Sequence, residues 1–272
     1  MLQAVTPDAI REAVIAVLGG ERAPLPVDGM RFVSYIVYHG FKDLKLLQAL
    51  INKGVQPTTE TLGYAVHNGF MEVVKLLVDH KVPWICGMEI YSVLHNLARR
   101  PLDQCVEPLE FYLRNGGAID ATQYQQTMLH DACKSNTIDT ARFLLEHGSN
   151  VNHQDEGGLT PLFFAQTQEM IALLLSFGAN IQQLSLHGLT PLHFQCEEYL
   201  PCESHTEFAL RYPFMTSLKD NYGQTPLDIA IKGKNDGVVR MLAAVETLKR
   251  QRAHTPGHSD QGQKRQRAPP GP

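Results

Sequence analysis

Two histidines and two cysteines lie close together in the sequence and have side chains that bind zinc. His193, Cys196, Cys202 and His205 follow the pattern H-x2-C-x5-C-x2-H. Imidazole nitrogens and thiolates are the ligands of many tetrahedral zinc sites, at comparable separations along the chain. A metal site is therefore the first chemistry to test.

The recurrence of two of these residues argues against that site. His193 occupies the position that His95 and His130 occupy in similar segments, and Cys196 matches Cys133. Residues that recur with a segment are explained by its packing, so we expect neither a metal ion nor a cofactor. Histidine titrates near neutrality and could act as an acid or base. However, no serine, cysteine or paired carboxylate recurs beside it as a nucleophile would, and no glycine-rich phosphate loop follows a strand. We expect no enzymatic activity.

The segments themselves are the dominant feature of the sequence. Four clear copies start with threonine, 33, 30 and 35 residues apart: TMLHDAC at Thr127, TPLFFAQ at Thr160, TPLHFQC at Thr190 and TPLDIAI at Thr225. Weaker copies begin at Phe32, Thr61 and Ser92. A period of this size indicates stacked structural repeats.

Each copy predicts two short antiparallel helices. Threonine caps a helix N-terminus, and proline fits the first helical position because its missing N–H has no partner there. A second apolar stretch follows with helical spacing, so Leu144 and Leu174 should be buried between repeats. Glycines suited to a left-handed C-terminal position close most of these helices, at Gly54, Gly116, Gly148 and Gly178. A polar stretch such as 151–158 then predicts a projecting, hairpin-like finger.

The pattern resembles the ankyrin repeat over about residues 30 to 250. The resemblance implies an all-α solenoid of about seven helix-turn-helix repeats with hairpin-like finger loops. It also implies that the recurring histidine links neighbouring repeats by hydrogen bonds. The copies at Thr160 and Thr190 depart from the pattern, the first by its shortness and its missing Gly-His turn. We expect a kink or a widened groove between residues 165 and 215.

Three regions follow from the pattern. Residues 1–29 are predicted to form an N-terminal capping helix and a connector, since an open solenoid end needs covering. Residues 30–251 hold the repeats, the first degenerate and those at 160 and 190 irregular. Residues 252–272 are rich in Pro, Gly, His and Gln and predict a disordered basic tail.

The charge distribution and the cysteines indicate which partners and which cellular compartment to expect. The net charge is −4, but the residues from Lys249 onward hold six basic residues and one acid, which leaves 18 basic and 27 acidic residues elsewhere. Direct nucleic-acid binding by the folded body is therefore disfavoured, and a partner with a basic face is favoured. Five scattered cysteines indicate a reducing compartment. With no signal-peptide pattern and no run of about 20 apolar residues, we expect no membrane insertion and an intracellular, cytoplasmic or nuclear, location.

The basic tail contains the same four-residue pattern twice. Its two clusters are Lys249, Arg250 and Arg252, and then Lys264, Arg265 and Arg267. Two basic clusters on a flexible spacer resemble a bipartite nuclear-import signal. A tail that only improves solubility is the alternative.

Exposed positions of the repeats predict where a partner binds. At the fingers these are Tyr124, Gln126, Leu159, Leu186, His187, Leu189, Asn221 and Tyr222, and on the first helices they are His67, Arg99 and Lys134. Apolar fingertips have no core to fill, although some could pack finger against finger. The predicted function is a non-catalytic protein interaction module acting as a scaffold, adapter or inhibitor. The alternative is an adapter whose tail contacts nucleic acid while the repeats recruit another protein.

Overall fold

The chain folds into two layers of short helices stacked in chain order. The computed structural model describes residues 6–21, 29–84, 93–197 and 208–254. The inner layer contains α2 (Gly29–Tyr38), α4 (Thr59–His67), α6 (Val93–Ala98), α8 (Met128–Lys134), a 3-10 turn (Pro161–Phe164), α11 (Pro191–Glu197) and α12 (Pro226–Lys232). Each inner element packs against the next, so contacts are between neighbouring repeats. This is the all-α repeat architecture that the sequence predicts.

The outer layer lies behind the inner one. It contains α1 (Pro7–Gly19), α3 (Leu44–Asn52), α5 (Met71–Asp79), α7 (Val106–Arg114), α9 (Ile138–Glu146), α10 (Gln168–Ser176), a helical turn at 208–211 with a 3-10 turn (Pro213–Ser217), and α13 (Asp236–His254). A further 3-10 turn, Leu102–Gln104, precedes α7. Within the described ranges, no helix combines the length and apolarity needed to cross a membrane.

Threonine is the N-cap of α8, of the 3-10 turn at Pro161–Phe164 and of α12, as predicted. Thr225 caps α12: its hydroxyl accepts from the Asp228 N–H at 3.3 Å, while the Asp228 carboxylate accepts from the Thr225 N–H at 2.9 Å. Pro226 occupies the first helical position, where no hydrogen bond is lost.

The start of α4 differs from the prediction. Thr61 does not begin this helix, because Thr58 is its N-cap and Thr61 is the third helical residue. The Thr61 hydroxyl accepts from the Thr58 N–H at 3.1 Å and shares a 2.7 Å hydrogen bond with the buried Ser34 hydroxyl of α2. Thr61 therefore takes part both in the cap of its own helix and in a contact with the preceding helix.

The predicted glycine stops are confirmed. Gly54, Gly116, Gly148 and Gly178 follow outer helices with φ of 97°, 79°, 89° and 85°, in the left-handed region that only glycine adopts without strain. At the end of α5, Lys81 adopts φ of 59° instead.

One continuous apolar core runs between the layers. Leu144 and Leu174 are fully buried, as the helical spacing predicts. At the start of the stack, Ile10 and Val14 of α1 join the same core, and α1 packs against α3.

The copy at Thr160 is irregular, as predicted. Its inner element is a 3-10 turn because Ala165 adopts an extended conformation, with φ of −68° and ψ of 115°. Two glutamine side chains connect this turn to its neighbours: Gln195 Nε2 donates to Ala165 O at 2.9 Å, and Gln166 Nε2 donates to Lys134 O at the end of α8 at 2.7 Å. The widened groove and the count of seven helix pairs stay predictions, because residues 198–207 lie outside the described ranges.

Candidate partner-binding surface

The recurring histidines connect each repeat to the next finger. His130 Nδ1 accepts from the Thr127 N–H at 3.1 Å, so Nε2 carries the proton and donates to Leu159 O at 3.2 Å. His95 Nε2 lies 2.8 Å from the carbonyl of Gln126, and His193 Nε2 lies 3.1 Å from that of Gln224. Burial lowers the pKa of His130 to about 4. The linking role that the resemblance implies is confirmed for this neutral imidazole.

Cys196, one of the two cysteines that suggested zinc chemistry, lies in the core. Cys196 is 2% exposed, and burial raises its thiol pKa to about 12. Burial also raises the thiol pKa of Cys133. Cys202 and His205 lie outside the described residues. A protonated, buried thiol is a packing group rather than a nucleophile.

The residue five positions before Thr160, Thr190 and Thr225 stabilises the conformation of each finger through its side chain. Asp155 Oδ1 accepts from the N–H groups of Gly157 and Leu159 at 2.9 and 3.0 Å. The Ser185 and Asp220 side chains accept equivalent pairs in the next two fingers. These acceptors are not among the predicted residues, although their fixed offset from Thr160, Thr190 and Thr225 is a usable signal.

Adjacent fingers are also bonded to each other. Leu186 N–H donates to Gly157 O at 3.0 Å, and Asn221 N–H donates to His187 O at 3.0 Å. The Asn221 amide donates in addition to Leu186 O at 3.1 Å. The fingers from 155 to 224 therefore form one hydrogen-bonded row.

The first of the clear fingers is a tight hairpin. Strands β1 (Thr122–Gln123) and β2 (Gln126–Thr127) pair antiparallel. Tyr124 and Gln125 form the two-residue turn with φ of 52° and 56°, the conformation that normally selects asparagine or glycine. The Tyr124 side chain is 61% exposed.

The predicted fingertips divide into exposed and packed residues. Tyr124, Leu186 and Tyr222 are 61%, 69% and 76% exposed, and we call these three the finger ridge. Leu159 and Leu189 are half-buried, and Leu189 packs against the core. The ridge thus contains three of the five predicted apolar side chains.

A groove runs beside the ridge. A cavity of about 650 Å³ separates the last two fingers from α12. It is lined by His187, Leu189, Tyr222, Gln224, Ile229 and Lys232, among others. His187, Leu189 and Tyr222, which are predicted partner-binding residues of two adjacent fingers, therefore line one cavity.

Two of the predicted polar residues bind each other. Gln126 Nε2 donates to Asp155 Oδ2 at 2.9 Å, and its Oε1 accepts from Lys134 Nζ at 2.6 Å. The Lys134 ammonium also lies 4.5 Å from the centre of the Phe164 ring. These contacts brace the concave side of the fingers.

His67 and Arg99 lie apart from the finger ridge. The Arg99 Nε and Nη2 atoms donate to Asp131 Oδ1 at 3.1 and 2.9 Å, and Asp131 is 1% exposed. His67 hydrogen-bonds to Arg100. His67, Arg99 and Arg100 line a separate cavity of about 510 Å³.

The first basic cluster lies on the last helix. Lys249 Nζ is bonded to the Thr216 hydroxyl at 2.5 Å and to Glu246 Oε1 at 3.2 Å. Arg250 is exposed and helical, and α13 includes Arg252. The second cluster lies outside the described residues.

Comparison with known proteins identifies the family. A model described as "Ankyrin repeats" matches residues 33–155 and 94–185, more than half of the chain. The chain belongs to the ankyrin-repeat family. Ankyrin repeats are generally protein interaction modules. The chain is also similar to Inversin of Mus musculus, with 27% identity over 116 residues. That match covers 42% of this chain but only 11% of Inversin.

Proposed function

We propose that this ankyrin-repeat protein is a non-catalytic scaffold, adapter or inhibitor whose protein partner docks on the finger ridge. The supporting observation is that Tyr124, Leu186 and Tyr222 expose most of their apolar surface at the tips of braced loops. Aromatic and aliphatic side chains held in place lose little entropy on binding and make effective anchors.

The conformation of Tyr124 supports the same proposal. A side chain other than Gly, Asn or Asp in the left-handed region costs about 1 kcal/mol or more. Tyr124 has no burial in the described structure that offsets this cost. An exposed aromatic residue at a strained turn is better explained by contact with a partner than by folding.

Charge adds a second property of the partner. Outside the tail, acidic residues outnumber basic ones, 27 to 18. A partner face with an apolar centre and a basic surround would associate faster at low ionic strength.

Calorimetric titration tests the docking site once affinity capture and mass spectrometry have identified a partner. Tyr124→Ala, Tyr222→Ala and Leu186→Asp should each weaken binding by more than about tenfold, because buried anchors contribute about 2 kcal/mol or more. Phe177→Ala is the matched control, since Phe177 is a half-exposed aromatic residue at the end of α10, away from the fingers.

Each variant must first melt like the wild type. Wild-type affinity in all three variants, together with loss of binding in His67→Ala, would move the docking site to the N-terminal repeats.

We further propose that the two basic clusters direct the protein to the nucleus. The support is the repeated pattern around Lys249 and Lys264 and the exposure of Arg250 on α13.

A further inference from the structure

The two outermost helices of the outer layer each lack one neighbour. Outer helices pack against the next one along the chain, as α1 does against α3 and α9 does against α10. Among the described residues, no outer helix precedes α1 and none follows α13. Each of these two helices therefore has a face that no described helix covers.

The uncovered face of α1 is acidic and contains an apolar side chain. On the side opposite its core contacts, α1 exposes Asp8, Glu12 and Ile15, whose spacing of four and three residues places them on one face. Ile15 is 55% exposed. Neither carboxylate forms an ion pair within the described ranges, and the one cation of this helix, Arg11, is bonded to Asp43 at 3.4 Å.

The uncovered side of α13 is basic and also contains an apolar side chain. Arg240 and Arg250 are exposed, and Leu248 between them is 46% exposed. The exposed acid of this helix, Asp236, lies in its first turn. The two uncovered faces therefore carry opposite charges around an aliphatic residue.

The surroundings of α13 strengthen its positive charge. Glu246 is bonded to Lys249 at 3.2 Å, so this carboxylate is already neutralised within the helix. Lys232 and Lys234, which precede α13, are both exposed. Residues 226–252 contain six basic and three acidic residues.

The same polarity extends over the whole chain. Residues 1–207 contain 13 basic and 23 acidic residues, whereas residues 208–272 contain 11 basic and five acidic ones. A molecule with an acidic and a basic end attracts a second copy in the orientation that brings unlike ends together.

We propose that a second copy of this chain docks head to tail, with the basic side of its α13 against the acidic side of α1. Leu248 and Ile15 supply the apolar contact, and the carboxylates of α1 pair with the arginines of α13. Contact between two like ends would bring like charges together, which disfavours a symmetric dimer. A head-to-tail dimer keeps one free end of each kind, so further copies can add. The contact does not involve the finger ridge.

Sedimentation velocity of the full chain tests the proposal at concentrations from about 5 to about 500 μM, a range suited to a weak contact. The average mass should rise with concentration above that of the monomer. Raising the salt concentration from about 0.1 to about 0.5 M should weaken the association by about threefold or more, because exposed ion pairs are screened.

Two variants each block one end. Ile15→Lys places a cation on the acidic face, and Leu248→Glu places an acid on the basic face. Each should weaken self-association by about tenfold or more, because an apolar contact is lost and like charges meet. Both side chains are at least half-exposed or nearly so and the new residues favour helices, so melting should match the wild type. Leu184→Lys, at a 45% exposed leucine in a finger, is the matched control and should associate like the wild type.

An equimolar mixture of the two blocked variants decides the orientation. The intact basic end of Ile15→Lys can dock on the intact acidic end of Leu248→Glu, so the mixture should associate where each variant alone does not. A monomeric wild type at the highest concentration, wild-type association of either blocked variant, or a mixture that stays monomeric would overturn the proposal.

Discussion

At the scale of single residues, a buried histidine makes folding stability depend on pH. His130 is fully buried, and desolvation lowers its pKa from 6.5 to about 4. As the pH falls from 6.5 towards 4, His130 binds a proton in the unfolded chain but stays neutral in the folded chain. Stability is therefore complete above pH 6.5 and should fall below it, by up to about 3 kcal/mol from this residue.

Urea titrations at several pH values between about 7 and 5 measure this loss. Burial also lowers the pKa of His193, so the wild type must be compared with His130→Gln, which keeps a hydrogen-bonding side chain but does not titrate. The free energy of unfolding should fall more steeply with acid in the wild type. Parallel curves would show that His130 is not the group responsible.

Residue roles could be predicted from the sequence where they depend on register. His95, His130 and His193 share one position and one bond to the next finger. The role of Thr61 could not be predicted, because its hydroxyl bonds Ser34 of another helix.

A predicted binding residue can also make a structural contact that the local sequence does not reveal. Arg99 is a predicted partner contact, but its guanidinium donates to the buried carboxylate of Asp131. An ion pair of this kind is costly to break from one side. A loss of binding in an Arg99 variant would therefore mix folding with recognition.

At the scale of helices, one outer helix ends with a strained residue. Lys81 follows α5 with φ of 59°, where Gly148 follows α9 with φ of 89°. Lys81→Gly should raise the free energy of unfolding by about 1 kcal/mol, since glycine removes the left-handed penalty. Thermal or urea unfolding measures the gain.

The reverse substitution provides the control. No atom lies within 4 Å of a Cβ placed at Gly148, so Gly148→Lys introduces backbone strain without a clash. It should lower stability by about 1 kcal/mol or more. A destabilised Lys81→Gly variant would show that the lysine side chain contributes more than its backbone costs.

The inner element at Thr160 shows how far helix type can be predicted. Its missing Gly-His turn predicts an irregular repeat, and the structure has a four-residue 3-10 turn. Gln195, which comes from the next repeat, bonds Ala165 O at the end of this turn. A partner 30 residues away is not visible in the local pattern.

At the scale of the whole molecule, the described linking histidines stop at the last repeat. Asp228 occupies the histidine position and instead caps its own helix through Thr225. Ile231 is 56% exposed, whereas Cys133 and Cys196 at the matching position are buried by the next repeat. The polar Asp228 at the histidine position is therefore compatible with solvent exposure at this end of the described stack.

The last prediction concerns the distribution of the protein in the cell. Replacing Lys264, Arg265 and Arg267 with alanine in a fluorescent fusion should move the protein from nucleus to cytoplasm, because the second cluster lies beyond α13 and a receptor groove needs accessible cations. Lys249→Ala alone should have a smaller effect, since Lys249 is bonded to Thr216 and Glu246.

Alanine at Lys45, Arg142 and Arg240 removes the same charge from exposed helix positions and is the control. This control should stay nuclear, since the import receptor reads a local cluster rather than net charge. An unchanged distribution of the tail variant would contradict the import proposal. The tail would then be tested for nucleic-acid binding, whose affinity falls steeply as salt rises because bound phosphates release counterions.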